Sequence, residues 1–170
     1  DNWCTPVVVD RCNLDFFGKK YFDPCSNKVS ILSTYKALTA GGLHLPWGKQ
    51  TFENNPYSKM LRWVQKGTRE LAAGNVEELV TLWPVATSTV WWKQAVGRAP
   101  VPAPKLGGKE VWSPNPTIIF PKRLAFLDHR GKPISGCRFD SVFFFYGPEK
   151  RHRAFLRAYD SLINWAARGR

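Results

Sequence analysis

Cysteine is scarce in this 170-residue chain: Cys4, Cys12, Cys25 and Cys137 stand at irregular spacing, with no CxxC pair. The three histidines, His44, His129 and His152, are scattered. That pattern argues against a zinc site and against any other metal centre, and it favours reduced thiols in a cytosol-like compartment. No apolar run approaches the roughly 18–20 residues that cross a bilayer. The opening stretch "DNWCTPVVVD" lacks the basic-then-apolar layout of a signal peptide. The expectation is a cytoplasmic protein without a membrane span, an organelle being the alternative if a leader has been removed. Acidic residues are also few, 13 against 25 Lys and Arg.

What is present is apolar and aromatic mass, 44% and 14% of the chain with eight Trp, enough for a folded core of one domain spanning residues 1–170. The formal charge of +12 points to a polyanionic partner, most simply nucleic acid.

Periodicity and turn residues divide the chain. "TPVVVDRCNLDFFG" reads as a turn followed by a short helix or extended segment, and "KKYFDPCSN" as a short strand ending in a proline turn. "SNKVSILSTYKALTAGG" reads as a helix, capped by Ser26 or Asn27 and stopped by Gly41-Gly42. "KQTFEN" is a second strand, and residues 58–73 a helix with Met60, Leu61, Val64 and Leu71 near one face. "VEELVTLWPV" is the densest strand, and a helix follows from Thr87 or Ser88. Strands alternating with helices predict a Rossmann-like α/β domain with a mixed, mostly parallel sheet and an antiparallel C-terminal strand. Residues 99–117 carry five prolines and an adjacent glycine pair, and read as an exposed loop. "IIFPKRLAFLD" and "SVFFFYG" supply the last strands. Residues 149–168 read as a basic C-terminal helix with Phe155, Leu156, Tyr159, Leu162, Ile163 and Ala166 inward.

Ligands of such sheets bind beyond the carboxyl ends of the strands, where "FDPCSN" and "ENNPYS" both fall. Asn54-Asn55-Pro56-Tyr57 suits a flat, amine-bearing ligand. The exocyclic amine of a nucleobase is a poor nucleophile because its lone pair is delocalised into the ring. Hydrogen bonds from its two N–H groups to an amide oxygen and a backbone carbonyl return electron density to that nitrogen. A stacked Tyr ring fixes the plane of a base flipped from the duplex. A plain Asn-Pro turn is the bland alternative.

The motif and its neighbours resemble a known family, the small, phage-type DNA N6-adenine methyltransferases that use S-adenosylmethionine. The resemblance is collinear over roughly residues 2–147. Trp3-Cys4-Thr5-Pro6 looks like the family's W-x-T-P entry, and Phe22-Asp23-Pro24-Cys25-Ser26 like its cofactor turn. Gly42-Leu43 with Trp47 is similar to its G-L…W segment, "LWPVATSTVWW" to its next strand and helix, and Arg123-Leu124-Ala125-Phe126 to a later strand. Asn54-Asn55-Pro56-Tyr57 stands where the family carries Asn or Asp, Pro, Pro and an aromatic; Asn55 replaces the first proline, and Gly41 stands where an acid is usual. The resemblance implies methyl transfer from S-adenosylmethionine to adenine N6 in DNA, with Asn54, Asn55, Pro56 and Tyr57 catalytic. It implies a cofactor pocket lined by Trp3, Thr5, Pro6, Asp23 and Pro24. Cytosine N4 methylation uses the same electronics. A reading from another class is a methyltransferase-fold protein without chemistry, a nucleic-acid-binding or scaffold component that could meet RNA as well as DNA. Cys25 has no base near it in sequence and reads as a structural thiol.

Among the basic residues, Lys105, Lys109, Lys122, Arg130, Lys132, Lys150, Arg151 and Arg153 are the candidates for phosphate contact, with the proline-rich loop as the groove-facing element.

Overall fold

The computed structural model describes residues 4–26, 41–103, 107–128, 130–134 and 139–168. The helix expected around residues 27–40 lies outside them, as do Trp3 and Lys105. Helix α1 (Val7–Phe17) follows the buried Pro6, whose extended backbone suits a helix entrance, and stops at Gly18, left-handed at φ 70°. Strand β1 (Gln50–Glu53) leads to α2 (Met60–Ala72), β2 (Glu78–Pro84) and α3 (Val90–Ala95). The Thr89 side chain caps α3 by accepting from the Trp92 amide. Then come β3 (Val101–Pro102), β4 (Glu110–Val111), β5 (Thr117–Pro121), β6 (Ser141–Tyr146), α4 (Glu149–Ala158) and β7 (Ile163–Arg168).

The main sheet runs β1-β2-β6-β5-β7, and Phe22 adds a parallel bridge to Thr51 at the β1 edge. Among the named strands only β1 and β2 pair in parallel; β2 with β6, β6 with β5, and β5 with β7 are antiparallel. The sheet is therefore mixed and mostly antiparallel, which corrects the expected parallel majority. Strand β6 explains the difference. It enters between β2 and β5 in the reverse direction, so β1, β2 and β5 point the same way while most neighbouring pairs do not. The last two strands of the prediction, β5 and β6, are antiparallel as expected.

Two further expectations change. The C-terminal helix ends at Ala158, and after a short turn residues 163–168 form strand β7, which pairs with the open edge of β5. Ile163 and Ala166, placed on a helix face by spacing, belong to this strand. Residues 99–117 are not wholly a loop: β3 and β4 form a two-stranded sheet, with Val101 and Ala103 essentially inaccessible.

Both sheet faces are covered by aromatic layers. In β6, Phe143 and Phe145 join the layer beneath α1 and α4, while Val142, Phe144 and Tyr146 join the layer beneath α2 and α3. A strand buried on both sides reads as a continuous apolar run, which is what "SVFFFY" is. In α2, Trp63 is buried and Leu61 is exposed, a rotation from the expected stripe.

The Gly42-Leu43 and Trp47 segment is clamped between the Asp23 turn and α2. Trp47 Nε1 donates to the Gly42 carbonyl at 2.6 Å, and the Trp47 amide donates to Glu70 at 3.1 Å. A Cβ at position 42 would lie 2.1 Å from the Pro24 carbonyl oxygen, so only glycine fits. Gly42→Ala is expected to destabilise the protein by about 1–3 kcal/mol, the usual cost of overpacking a rigid contact. Urea unfolding checks this; an unchanged midpoint would mean that the Pro24 turn yields freely.

Candidate active site

Two backbone hydrogen bonds set the geometry. The Phe22 amide donates to the Gln50 carbonyl and the Phe52 amide to the Phe22 carbonyl, each at 2.9 Å. Parallel pairing of Tyr21-Phe22 with β1 makes both segments end at the same sheet edge. Asp23 and Asn54 leave that edge side by side.

On the first segment Asp23 closes a tight turn, its Oδ1 accepting from the Cys25 amide at 2.8 Å. Burial raises its carboxyl to about 7, with nearby Asp10 pushing the same way and the Cys25 bond opposing. Asp10, from α1, is itself raised to about 6 by burial and accepts from the Tyr21 hydroxyl at 3.0 Å. Asn13 continues this network, donating to the Tyr21 hydroxyl and accepting from Tyr159.

On the second segment the two asparagines part company. Alternation along β1 sends Asn54 to one side, where its Nδ2 donates to Thr5 Oγ1 at 3.0 Å. Its Oδ1 faces the Tyr57 hydroxyl at 3.5 Å, a long contact that leaves the oxygen's acceptor capacity largely unused. Asn55 points the other way. Its side chain is 3% exposed and its Nδ2 bonds the Pro56 carbonyl and Met60 Sδ. Pro56 is exposed, and the half-buried Tyr57 ring meets Phe139 edge-on at 5.2 Å. Thr5 is brought here because Cys4 pairs with Leu127, each amide bonding the other's carbonyl.

The structure thus gathers Thr5, Asn54 and Tyr57 by direct contact, with Pro6 at the head of α1 and Asp23 and Pro24 at the adjacent strand end. It turns the Asn55 side chain away, into contact with Met60 and the Pro56 carbonyl. Sequence reasoning passed over three residues. Phe139 walls the Tyr57 ring from a stretch with no periodic pattern. Asp10 acts on Asp23 from a segment that read only as a short helix or extended stretch. Glu53, immediately before Asn54, is fully buried on the α2 side, and neither carboxyl oxygen has a hydrogen-bond partner. Burial lifts it to about 8, with Asp23 adding to the rise and the nearby Trp83 indole opposing it. The signal was an acid inside "TFEN", where the preceding residues already alternate between two buried faces.

The basic candidates separate by sheet edge. Because β5 points like β1, Lys122 and Arg123 leave β5 at the Asn54 edge. The following segment then crosses to Leu127 beside Cys4, and Arg130 and Lys132 sit on the tight turn beyond, where Asp128 Oδ1 accepts from both their amides. Lys150 and Arg153 open α4 at the opposite edge, lining a cavity of about 600 Å³ with Thr117 and His152. Arg151 is engaged within the fold: it pairs with Glu78, donates to the Phe16 carbonyl at 2.8 Å and lies over the Phe16 ring. Lys109 is exposed on the β3–β4 unit, which docks through Ser113 and Pro102 against Thr68 and Arg69 of α2. That contact is eight residues along the helix from Met60, about 12 Å from the Asn54 edge at the helical rise. Among the described residues no cluster of His, Cys, Asp or Glu could hold a metal ion, and no helix is long and apolar enough to cross a membrane. Cys12 and Cys25 are free thiols.

The model of the DNA N-6-adenine-methyltransferase (Dam) family matches residues 1–101, more than half of the chain and every element that builds this site up to the end of α3. The chain belongs to the Dam family. The family acts on adenine in DNA, and the Asn54–Tyr57 edge lies within the matched region. No curated protein and no solved structure matches the chain.

The buried Glu53 gives this Dam member a characteristic pH response. Its folded value, about 8, lies above the ordinary glutamate value of 4.5. Between those values the unfolded chain has released a proton that the folded protein keeps. Stability from this group is therefore full below about pH 4.5 and lost as pH rises through about 8. Glu53→Gln removes the ionisation, and its loss of stability between pH 5 and 8 should be shallower than the wild type's by up to about 1 kcal/mol per pH unit. Denaturant unfolding across that range checks it; identical slopes would mean that Glu53 ionises normally.

Proposed function

We propose that this Dam-family chain transfers a methyl group from S-adenosylmethionine to the N6 amine of adenine in DNA at the Asn54–Tyr57 edge. The observation that carries this reading is the split between the two asparagines. Asn54 presents a half-buried amide, steadied through its nitrogen by Thr5, with its oxygen left to accept from an amine. Asn55 offers its main-chain carbonyl while its side chain stays buried. Those are the two acceptors that an exocyclic amine needs.

Tyr57, backed edge-on by Phe139, stacks on the flipped base and fixes its plane. Pro56 shapes the turn between the acceptors and the ring. Holding the amine in line with the donor is the main catalytic contribution, since well-oriented reactants save several kcal/mol of the barrier. The sheet is read as Rossmann-like, because β1, β2 and β5 share one direction and the site lies at their carboxyl ends.

The chain's charge pattern suits the cofactor. S-adenosylmethionine supplies an electrophilic methyl group on a positively charged sulfur. In a chain of formal charge +12, buried carboxylic acids gather around the Asp23 turn: Asp10 and Glu53 each raise Asp23 or are raised by it. A cationic ligand relieves that like-charge repulsion. Trp3, Thr5, Pro6, Asp23 and Pro24 are the residues proposed to hold it. Binding of the cationic cofactor is expected to tighten from pH 6 to pH 8, as Asp23 gives up its proton, whereas the uncharged-sulfur product should respond less. Calorimetric titration at the two pH values checks this, and equal pH dependence for both ligands would remove Asp23 from the pocket.

The catalytic assignment is tested by truncating each amide. Losing the acceptor for a partly charged amine costs on the order of 1.5–3 kcal/mol, roughly 10- to 100-fold in rate. Asn54→Ala should lose most methyl transfer to duplex DNA, and Asn55→Ala should keep much of it, with both proteins equally folded by circular dichroism. A reversed ranking would move the catalytic role to Asn55. Label on cytosine N4 would change the product but not the chemistry.

A further inference from the structure

We propose that the DNA flanking the target base runs along the carboxyl edge of the sheet, from Asn54 to an aromatic platform of Phe120 and Trp165. On this track Lys122 and Arg123 meet its phosphates. The inference rests on the methyl-transfer reading for where the target base sits.

Strand register places the platform. Glu53 pairs with Thr81, Thr81 with Phe144, Phe144 with Ile118, and Ile118 with Ala167. Phe120 and Trp165, themselves paired, lie two residues nearer the carboxyl edge than Ile118 and Ala167, level with the Asn55 end of β1. They project from the α2 and α3 side. Those helices bury the corresponding face of β2 and β6, but Phe120 reaches their layer only as a partly buried fringe residue. Trp165 is 57% exposed, its ring packed on Phe120 at 5.2 Å.

The segment leaving β5 makes the connection. The Lys122 amide is fixed to the Leu162 carbonyl at the start of β7. Lys122 and Arg123 are exposed, and within a few residues the chain has returned to Leu127 beside Cys4 and the Asn54 corner. Arg130 and Lys132 stand exposed on the turn beyond. A basic strap thus joins the aromatic platform to the site. Among the described residues the acids near this edge are Asp128, on the strap's own turn, and the exposed Asp140 and Asp160; the four cations of the strap, Lys122, Arg123, Arg130 and Lys132, outnumber them.

Exposed tryptophan next to lysine and arginine fits nucleic acid, since cations hold phosphates and a ring covers sugar or base faces. Four strand steps separate β1 from β7, about 19 Å at the usual spacing. At 3.4 Å per base step the platform meets DNA roughly five to six base pairs from the flipped adenine.

The test is anisotropy binding of fluorescein-labelled duplexes with a central adenine, one of 8 base pairs and one of 16. Trp165→Ala should weaken the 16-mer roughly 5- to 10-fold and leave the 8-mer as it is for the wild type. The Lys122→Ala/Arg123→Ala pair should lower the salt slope for the 16-mer by about 2. The paired variant leaves β7 unaltered, so it reports even if Trp165→Ala perturbs folding. Equal loss on both duplexes, no loss on either, or a change of oligomeric state in Trp165→Ala by sedimentation would each overturn the track. A wild type that binds neither duplex would instead sink the DNA reading beneath it.

Discussion

The site depends on one pairing: Phe22 hydrogen-bonded to both Gln50 and Phe52, beside the parallel match of β1 with β2. Parallel strands bring successive strand ends to a common edge. That is why the Asp23 turn and the Asn54 amide, 31 positions apart in sequence, become neighbours. Two neighbouring segments brace this pairing. Gly42 and Trp47 lock the Asp23 turn from one side, and the Cys4–Leu127 bridge swings Thr5 onto Asn54 from the other.

The same pairing explains a division of labour within four residues. Alternation of side chains along an extended strand must point Asn54 and Asn55 to opposite faces. One face is the edge where Thr5, Tyr57 and Phe139 gather; the other is the packed layer beneath α2. The Asn55 side chain is therefore accommodated by burial against Met60 and the Pro56 carbonyl. Its Oδ1 and the Glu53 carboxyl lie buried without hydrogen-bond partners. Such groups cost stability, and this Dam member carries them directly beneath its proposed catalytic edge.

Much of this was legible in the sequence because local patterns and local structure agreed. "TFEN" before an asparagine motif gave the strand and its end, and "SVFFFY" a strand, while "VVVDRCNLDFF" left a helix and an extended segment both open. Sheet direction was legible only for the β5–β6 pair. Alternating strands and helices imply parallel neighbours, and nothing local shows that β6 inserts between β2 and β5. Residues 163–168 misled for a different reason. Leu162, Ile163 and Ala166 satisfy a helical stripe, but the open edge of β5 offers backbone hydrogen bonds that a helix extension cannot match. Phe139 and Asp10 act through contacts made by folding, and Glu53 reads as an ordinary strand-end acid until its burial is known.

The central claim is that this edge performs methyl transfer to adenine. The direct measurement is incubation of the folded protein with methyl-labelled S-adenosylmethionine and duplex DNA, followed by nucleoside analysis. The account predicts label in N6-methyladenine. DNA that is bound in a salt-sensitive manner but carries no label would contradict it and leave a nucleic-acid-binding scaffold in its place.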